Sequence, residues 1–203
     1  MNESSIPARV VELDATVPVW DQFFTVAPLV LIGTRDDDGS LDLAPKHMVT
    51  PLGWQNYFGF VCTPRHRTCG NCERTGEFTV SYPKPSQVLF TSLAASPRCD
   101  HGDKPVIDYL QTFPASTVDG EFVTDAYLFF ECRHIRTVTG FGENCLVTGE
   151  IVRAWADEDY LRHTEVDDQE TIHASPLLAY LAPGRFATIE RSNAFPFPES
   201  MKK

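Results

Sequence analysis

The amino-acid sequence predicts a mainly β fold, a β-barrel with short helices, formed by one domain over residues 1–203. The apolar, β-branched and aromatic residues occur in many short runs that are separated by turn residues. The candidate helices are few and brief, whereas a doubly wound sheet needs a long helix between successive parallel strands. No repeat, low-complexity linker or change of composition divides the chain. With 203 residues, of which 42% are hydrophobic, the chain can bury a core without disulfide bonds.

The first predicted element is a hairpin. Residues 29–34 form an apolar, β-rich run, the turn residues 36–40 follow, and residues 41–44 return as the second strand. The turn contains three consecutive aspartates before Gly39, which could bind a cation. Consecutive carboxylates are typical of a solvated loop and lack the spaced ligands of a calcium loop, so we expect no metal here.

Two further strands and a helix are predicted in the next segment. Residues 57–62 and 78–81 are rich in aromatic and β-branched side chains, which favours strands. Residues 68–75 between them predict a short helix with Thr68 as its N-cap, and Gly76 predicts where this helix ends.

The second half of the chain is predicted to combine strands with short helices. Two long strands, joined by a glycine-containing connection, form an antiparallel pair at residues 126–138 and 145–155. A last strand is predicted at residues 185–190. Four further helices are predicted, at residues 86–95, 104–112, 157–163 and 170–180.

The net charge of −11 and the isoelectric point near 4.9 argue against the usual partners of basic proteins. An acidic surface repels nucleic acid and anionic membranes unless a local basic patch compensates. The longest apolar run, residues 27–32, is far too short to span a bilayer, and the polar first residues do not resemble a secretory signal. We therefore expect a cytoplasmic protein with no nucleic-acid partner and no membrane.

Six cysteines could form three disulfides in a secreted protein, but a reducing compartment favours free thiols that pack as small apolar residues. Cys69 and Cys72 have the spacing of half a zinc site or of a thiol redox pair, near the start of the predicted helix. No second pair with this spacing follows, so we interpret both cysteines as structural.

The segment at residues 63–68 predicts an anion site. It follows a strand and precedes a helix, so its cationic side chains lie beside the free N–H groups of a helix N-terminus, which is the chemistry that a phosphate requires. The alternative is a solvent-facing basic loop. In a second segment, residues 43–48, Pro45 fixes the backbone so that the following N–H groups could face a heteroaromatic ring. His101 lies in a polar loop that could act as a lid or contact a substrate.

Taken together, these segments resemble the flavin reductase-like, FMN-binding split-barrel family over residues 28–190. The resemblance rests on the order and spacing of several blocks, none of which is specific alone. The blocks are residues 28–34 with Gly39, 43–45, 63–78, 103–104, 131–132, 149–152 and 176–181.

The resemblance implies an FMN cofactor at the interface of a homodimer. The residues that it implies around the phosphate are Arg65, His66, Arg67 and Thr68. Those that it implies around the isoalloxazine ring and ribityl chain are Pro45, Lys46, His47, Met48, Cys62 and Thr63. The sequence departs from many relatives at three positions. His47 stands where they carry Ser or Thr, Arg67 where they carry a Lys-Asp pair, and Asn144 where they carry histidine.

The implied activity is that of an NAD(P)H:flavin oxidoreductase that passes electrons to an unidentified acceptor, with the flavin supplying the hydride chemistry. One alternative is an electron carrier or flavin-binding module with little NAD(P)H activity, because one fold serves several functions. A further alternative keeps the barrel but places haem or a pyridoxal-type cofactor in the groove, where His47 and His66 could act as ligands.

Overall fold

The computed structural model describes residues 9–99 and 104–198. Twelve strands dominate these ranges and confirm the predicted mainly β fold. The strands are β1 (Thr25–Pro28), β2 (Val30–Arg35), β3 (Leu41–Lys46), β4 (Val49–Pro51), β5 (Tyr57–Cys62), β6 (Glu77–Tyr82), β7 (Thr112–Pro114), β8 (Glu121–Val123), β9 (Leu128–Phe141), β10 (Asn144–Ala156), β11 (Leu177–Ala182) and β12 (Arg185–Ile189). The α-helices of the described residues are α1 (Arg67–Thr75), α2 (Val88–Leu93) and α3 (Asp168–Ala174). No helix in these ranges is both long and apolar enough to cross a bilayer.

The strands form three antiparallel sheets. The largest has seven strands in the order β3-β2-β6-β9-β10-β5-β4, and the others are β1-β11-β12 and the pair β7-β8. The predicted first hairpin is present, with β2 and β3 paired from Val30 and Lys46 to Arg35 and Leu41. The predicted long antiparallel pair is β9 and β10, whose turn lies between Phe141 and Asn144.

The large sheet is curled into a half-barrel. β3 and β4 occupy its opposite edges, yet only His47 and Met48 separate them in the chain. Seven flat strands would place the two edges about 29 Å apart. Three consecutive Cα–Cα steps reach only about 11 Å, from Lys46 to Val49. The sheet must therefore curl until its edges meet at this two-residue link, which we call the seam.

The core lies inside the curled sheet and is closed on one side by α1. Phe58, Phe60, Phe78 and Val80 are almost completely buried there. Five of the six cysteines are buried as free thiols, which confirms the interpretation of most cysteines as small core residues. Burial raises the pKa of the Cys72 thiol well above its ordinary value.

The start of α1 differs from the prediction. The helix begins at Arg67 with His66 as its N-cap, so Thr68 is inside the first turn rather than the cap. Thr68 is buried and donates its hydroxyl to Asp42 Oδ2 at 3.0 Å, because the helix packs directly on β3. The predicted end is confirmed, since Gly76 adopts a left-handed conformation with φ +73°.

Several predicted helices are shorter than expected. The helix predicted at 170–180 is wrong in its second half, because Pro176 ends it and the following apolar residues pair as β11 between β1 and β12. The helices predicted at 104–112 and 157–163 are short 3-10 helices, Pro105–Tyr109 and Glu158–Tyr160. The helix predicted at 86–95 is a 3-10 turn followed by α2. Four short strands, β1, β4, β7 and β8, were not predicted.

Candidate functional site

A cleft with a cavity of about 440 Å³ lies where the end of β3, the start of α1 and the segment after α2 come together. Its ionisable side chains are Lys46 from β3, His66 from the N-cap of α1, Lys104, and Asp42. We call it the cationic cleft. Its lining residues are Asp42, Ala44, Pro45, Lys46, His66, Thr68, Ala94, Ala95, Ser96, Pro97 and Lys104.

The start of α1 opens onto this cleft without a side-chain cap. His66 has extended backbone dihedrals and makes no capping hydrogen bond with its side chain. The first N–H groups of a helix have no intrahelical acceptors, and the helix dipole places partial positive charge there. Since His66 and Thr68 both line the cleft, this partial charge adds to that of the lysines.

Two buried aspartates hold the start of α1 in place. Asp36 accepts hydrogen bonds from Arg67 at 3.0 Å, from Asn71 at 2.8 Å and from Arg98 at 2.7 Å. Asp42 accepts from Arg98 at 2.7 Å as well as from Thr68. The predicted phosphate residues Arg67 and Thr68 therefore both have acceptors within the protein, and Arg67 does not line the cleft.

Lys104 is a cleft residue whose role the sequence did not predict. Its side chain is only 9% exposed, donates to the carbonyl oxygen of Leu43 at 2.7 Å and lies 3.9 Å from Asp42 Oδ1. Burial lowers the pKa of this ammonium from its ordinary value, with Asp42 acting in the opposite direction. Lys104 stands in one of the family-like blocks, but no local pattern indicates that it meets a carbonyl 61 residues earlier.

The histidine at the N-cap is neutral in this setting. Burial and the nearby charge of Lys46 lower the pKa of His66 from 6.5, so the imidazole carries no charge at neutral pH in the absence of an anion. A neutral imidazole can still donate one hydrogen bond.

Two residues of the predicted phosphate loop face away from the cleft. The Arg65 side chain is 72% exposed and lies 3.5 Å from the carboxylate of Glu143, in the turn between β9 and β10. Thr63 donates to Asn144 at 3.3 Å. These contacts attach the loop to the β9–β10 turn. Arg65 and Thr63 line none of the cavities described here.

A second cavity, of about 360 Å³, adjoins the cationic cleft and shares Pro45 and Ala95 with it. His47 forms part of its wall and packs on Tyr180, with ring centroids 4.5 Å apart. The N–H of Gly184 donates to the Tyr180 hydroxyl at 2.9 Å, which fixes the β11–β12 turn against this wall. Burial lowers the pKa of His47, so its ring is neutral at pH 7. Because Thr91 also lines this cavity, we call it the Thr91 pocket.

A third cavity, of about 680 Å³, is also lined by His47 and is mostly apolar. We call it the apolar groove. Met48 lines it together with Trp20, Val26 and Phe141, which are all at least 50% exposed. Cys62, in contrast, is buried in the core, where its carbonyl oxygen accepts the Cys145 thiol at 3.2 Å. The structure therefore distributes Pro45, Lys46, His47, Met48 and Cys62 among the two cavities, the cleft and the core, and places Thr63 against the β9–β10 turn.

The cysteine pair Cys69 and Cys72 and the loop residue His101 are the other candidates for chemistry in the sequence. No group of three or more His, Cys, Asp and Glu side chains in ranges 9–99 and 104–198 could hold a metal ion. Cys69 Sγ lies 3.4 Å from Cys145 Sγ, and both thiols are buried. His101 lies outside the described residues.

The chain can be compared with known protein families by its sequence and by its fold. A sequence model of the flavin reductase-like domain matches residues 24–187, which is most of the chain. The protein belongs to the flavin reductase-like family, and its fold is that family's split barrel. A search of curated protein sequences gives no match.

Solved structures share the fold at low sequence identity. Flavoredoxin from Methanosarcina acetivorans superposes with a TM-score of 0.74 at 18% identity, over 96% of this chain and 98% of that chain. The FMN-binding protein from Thermus thermophilus gives 0.73 at 20% identity, over 92% and 99%. The 2-nitrobenzoate 2-nitroreductase from Pseudomonas fluorescens gives 0.73 at 16% identity, over 87% of each chain.

Proposed function

We propose that the protein binds FMN and acts as an oxidoreductase that accepts hydride from NAD(P)H and passes electrons to an acceptor. The observation that supports this most is the cationic cleft, where the Lys46 and Lys104 ammonium groups and the uncapped start of α1 line one cavity in a chain of the flavin reductase-like family. In a protein of net charge −11, such a concentration of positive charge suits an anionic cofactor.

The residues present fit FMN in two ways. A phosphate group needs cations and N–H donors, and Lys46, Lys104, His66 and the first turn of α1 supply them. A ring system needs flat apolar walls, and the backbone of residues 45–48 leads from the cleft to two such cavities. The sequence also predicts Arg65 and Arg67 as phosphate ligands, and variants described in the Discussion compare them with the two lysines. Cys62 and Thr63 stay predicted to line the isoalloxazine ring and the ribityl chain.

The protein's own residues would bind and orient the cofactor rather than react with it. Bound FMN would supply the hydride-accepting ring. Lys46 and Lys104 would neutralise the phosphate, Pro45 would hold the backbone beside the ring, and neutral His47 could donate or accept one hydrogen bond there. No general acid–base pair is required of the chain.

We further propose that the protein is a cytoplasmic homodimer whose second copy covers the apolar groove. Val26 is 71% exposed, Phe141 55% and Met48 50%, and together with Trp20 they make a contiguous lining. Exposed apolar surface of this kind is typical of a subunit interface. Met48 lies two residues after Lys46 of the cleft, so a partner seated there would also limit solvent access to the cofactor.

The alternative function is an electron carrier with little NAD(P)H activity. Its support is the similarity to proteins described as a flavoredoxin and as an FMN-binding protein. The two functions differ in whether a nicotinamide reaches the flavin.

The test is an absorbance titration of the protein with FMN, followed under anaerobic conditions by NADH and then by NADPH. We expect a bound flavin spectrum that bleaches within seconds of adding one of the two donors. Bound flavin that stays oxidised would support the carrier, and the absence of any binding would refute the proposal.

A further inference from the structure

Two buried thiols, those of Cys69 in α1 and Cys145 in β10, are in direct contact near the start of α1. We infer that they form a reversible disulfide when the protein is oxidised, and that this bond weakens binding at the cationic cleft. The disulfide follows from the geometry of the two thiols, whereas its effect on FMN rests on the proposed function.

The two sulfur atoms lie 3.4 Å apart, although 76 residues separate the cysteines in the chain. The Cys145 thiol donates to the carbonyl oxygen of Cys62 at 3.2 Å, which leaves its sulfur to accept the S–H of Cys69. The S–S bond of a disulfide is about 2.05 Å long, so the two sulfurs would have to approach by about 1.4 Å. Side-chain rotation together with a small movement of α1 supplies that displacement.

The neighbouring thiols are less well placed. Cys62 lies opposite Cys145 on the adjacent strand, but its thiol donates to the carbonyl oxygen of Thr63 at 3.6 Å. Cys72 is completely buried one turn further along α1. Within the residues that the structure describes, the contact of Cys69 and Cys145 is the only hydrogen bond between two thiols.

Both cysteines lie near the ends of their elements, which gives a small oxidant a route to them. Cys69 is the third residue of α1, and Cys145 is the second residue of β10, next to the β9–β10 turn. Each directly follows a residue that lines a cavity, Thr68 in the cationic cleft and Asn144 in the apolar groove. Ends of elements open locally at much less cost than global unfolding. A brief opening there admits a molecule of the size of hydrogen peroxide.

Hydrogen peroxide as the oxidant balances the reaction. The sulfur of one thiol attacks the peroxide, the O–O bond breaks, and a sulfenic acid and one water form. The sulfur of the second thiol then displaces the hydroxyl of the sulfenic acid, which leaves as a second water while the S–S bond forms. The two cysteines together lose two protons and two electrons. A dithiol reduces the disulfide again by exchange and is itself oxidised.

Burial makes this response slow. It raises the pKa of Cys69 to about 12, and the hydrogen bond with Cys145 acts in the same direction. Because the thiolate is the reactive form, the pair reacts only during sustained exposure to the oxidant at neutral pH. The proposed function would supply such exposure, since reduced flavins react with oxygen.

The disulfide would alter the cationic cleft because Cys69 belongs to the first turn of α1. The N–H of Cys69 donates to the carbonyl oxygen of His66 at 3.1 Å, and the neighbouring Thr68 is bonded to Asp42. A bond that draws Cys69 towards β10 moves the first turn relative to Lys46 on β3. The loss of one charge-assisted hydrogen bond to a phosphate weakens binding by about tenfold.

The test for the disulfide uses the full chain with Cys99→Ser, which removes the one exposed cysteine. The protein is treated with hydrogen peroxide, its remaining thiols are blocked with iodoacetamide, and it is digested with trypsin. We expect the peptides of residues 68–74 and 137–153 to be linked with the loss of two hydrogen atoms, and to separate after dithiothreitol. Oxidised protein without this link, or with residues 137–153 linked to the Cys62 peptide, would overturn the inference.

Three variants assign the link to its two sulfurs. Cys69→Ala and Cys145→Ala should each prevent it, whereas Cys72→Ala, at the other cysteine of peptide 68–74, should leave it in place. A link that persists in Cys69→Ala would contradict the assignment. The peptide map of the Cys99→Ser protein decides the linkage even where one of these variants fails to fold.

The effect on the cleft is measured by flavin fluorescence titration of the reduced, oxidised and re-reduced protein. We expect FMN to bind about tenfold more weakly after oxidation, to recover after dithiothreitol, and to be unaffected by peroxide in Cys145→Ala. Equal affinity of the linked and reduced proteins would refute the effect on the cleft. If neither form binds FMN, the proposed function fails together with that effect, whereas the peptide map still decides the disulfide.

Discussion

Lys46 and Lys104 provide the full positive charges of the cationic cleft. The sequence indicates a binding role for Lys46 but not for Lys104. Lys46 belongs to a local pattern, because it follows Pro45 at the end of a predicted strand, and the same holds for His66 before a predicted helix. Lys104 and Asp42 enter the site through contacts between residues far apart in the chain. A single sequence does not record such contacts.

The assignment of the phosphate site gives the first prediction. Lys46→Gln combined with Lys104→Gln should weaken FMN binding by roughly 100-fold, because two charge-assisted hydrogen bonds are lost. Arg65→Ala combined with Arg67→Ala should weaken it far less, since these side chains pair with Glu143 and Asp36. Flavin fluorescence titration measures both affinities. A larger loss of FMN affinity in the arginine variant than in the lysine variant would place the phosphate at the loop of residues 65–67, as the sequence pattern first indicated.

Glu131 shows how one buried charge can organise a loop. Its carboxylate is completely buried and accepts backbone N–H groups from Ser116, Thr117 and Val118 at 2.6–3.0 Å, and also the Ser116 hydroxyl. Burial by itself would raise the pKa of Glu131, but these hydrogen bonds together outweigh burial and hold the pKa below its ordinary value of 4.5.

This arrangement predicts an acid-sensitive contribution to stability. A depressed pKa in the folded state means that the stabilisation is complete above the unfolded-state pKa and is lost as the pH falls below about 4.5 towards the folded-state value. Glu131→Gln should remove that dependence and cost about 2 kcal/mol or more at pH 7, because an amide N–H₂ then opposes backbone donors. Urea denaturation of both proteins between pH 7 and pH 3.5 measures it. Equal pH slopes would contradict the assignment.

At the scale of elements, local signals placed several strands and turns well. Residues 57–62 were predicted with the observed bounds, and the hairpin of β2 and β3 differs by one or two residues. The segment at 170–180 failed because its helix is polar and short, while its apolar end is a strand that pairs with β1, about 150 residues earlier. Helical periodicity and a buried strand give the same signal over so few residues.

The two glycines of α1 test this helix in opposite directions. Gly76 has φ +73°, where a side chain is strained, so Gly76→Ala should destabilise the protein by about 1 kcal/mol. Gly70 lies inside the helix, and a methyl group there would meet no atom within 4 Å. Gly70→Ala should therefore stabilise the protein by about 0.5–1 kcal/mol. Thermal denaturation of the two variants checks both signs, and a shift of the melting temperature in the same direction for both would contradict the prediction.

At the scale of the whole molecule, the proposed dimer connects the apolar groove to cofactor binding. Phe141→Glu places a charge on the exposed lining of that groove and should convert the dimer to a monomer, because burying an unpaired carboxylate is costly. Tyr109→Glu, at a residue that is 78% exposed and does not line the groove, is the matched control. Sedimentation velocity measures the mass of each variant. A Phe141→Glu protein with unchanged mass would move the interface elsewhere or refute the dimer.

The seam has a consequence for solubility. β3 and β4, the two edges of the large sheet, carry Pro45 and Pro51, and the edge strand β1 of the smaller sheet carries Pro28. Proline has no N–H to offer an incoming strand, and open edges are the usual route to aggregation. At the seam, β3 and β4 lie close together, so each of them hinders a further strand from pairing with the other. A sheet that never closes its hydrogen bonds into a complete ring is thereby protected from recruiting further chains.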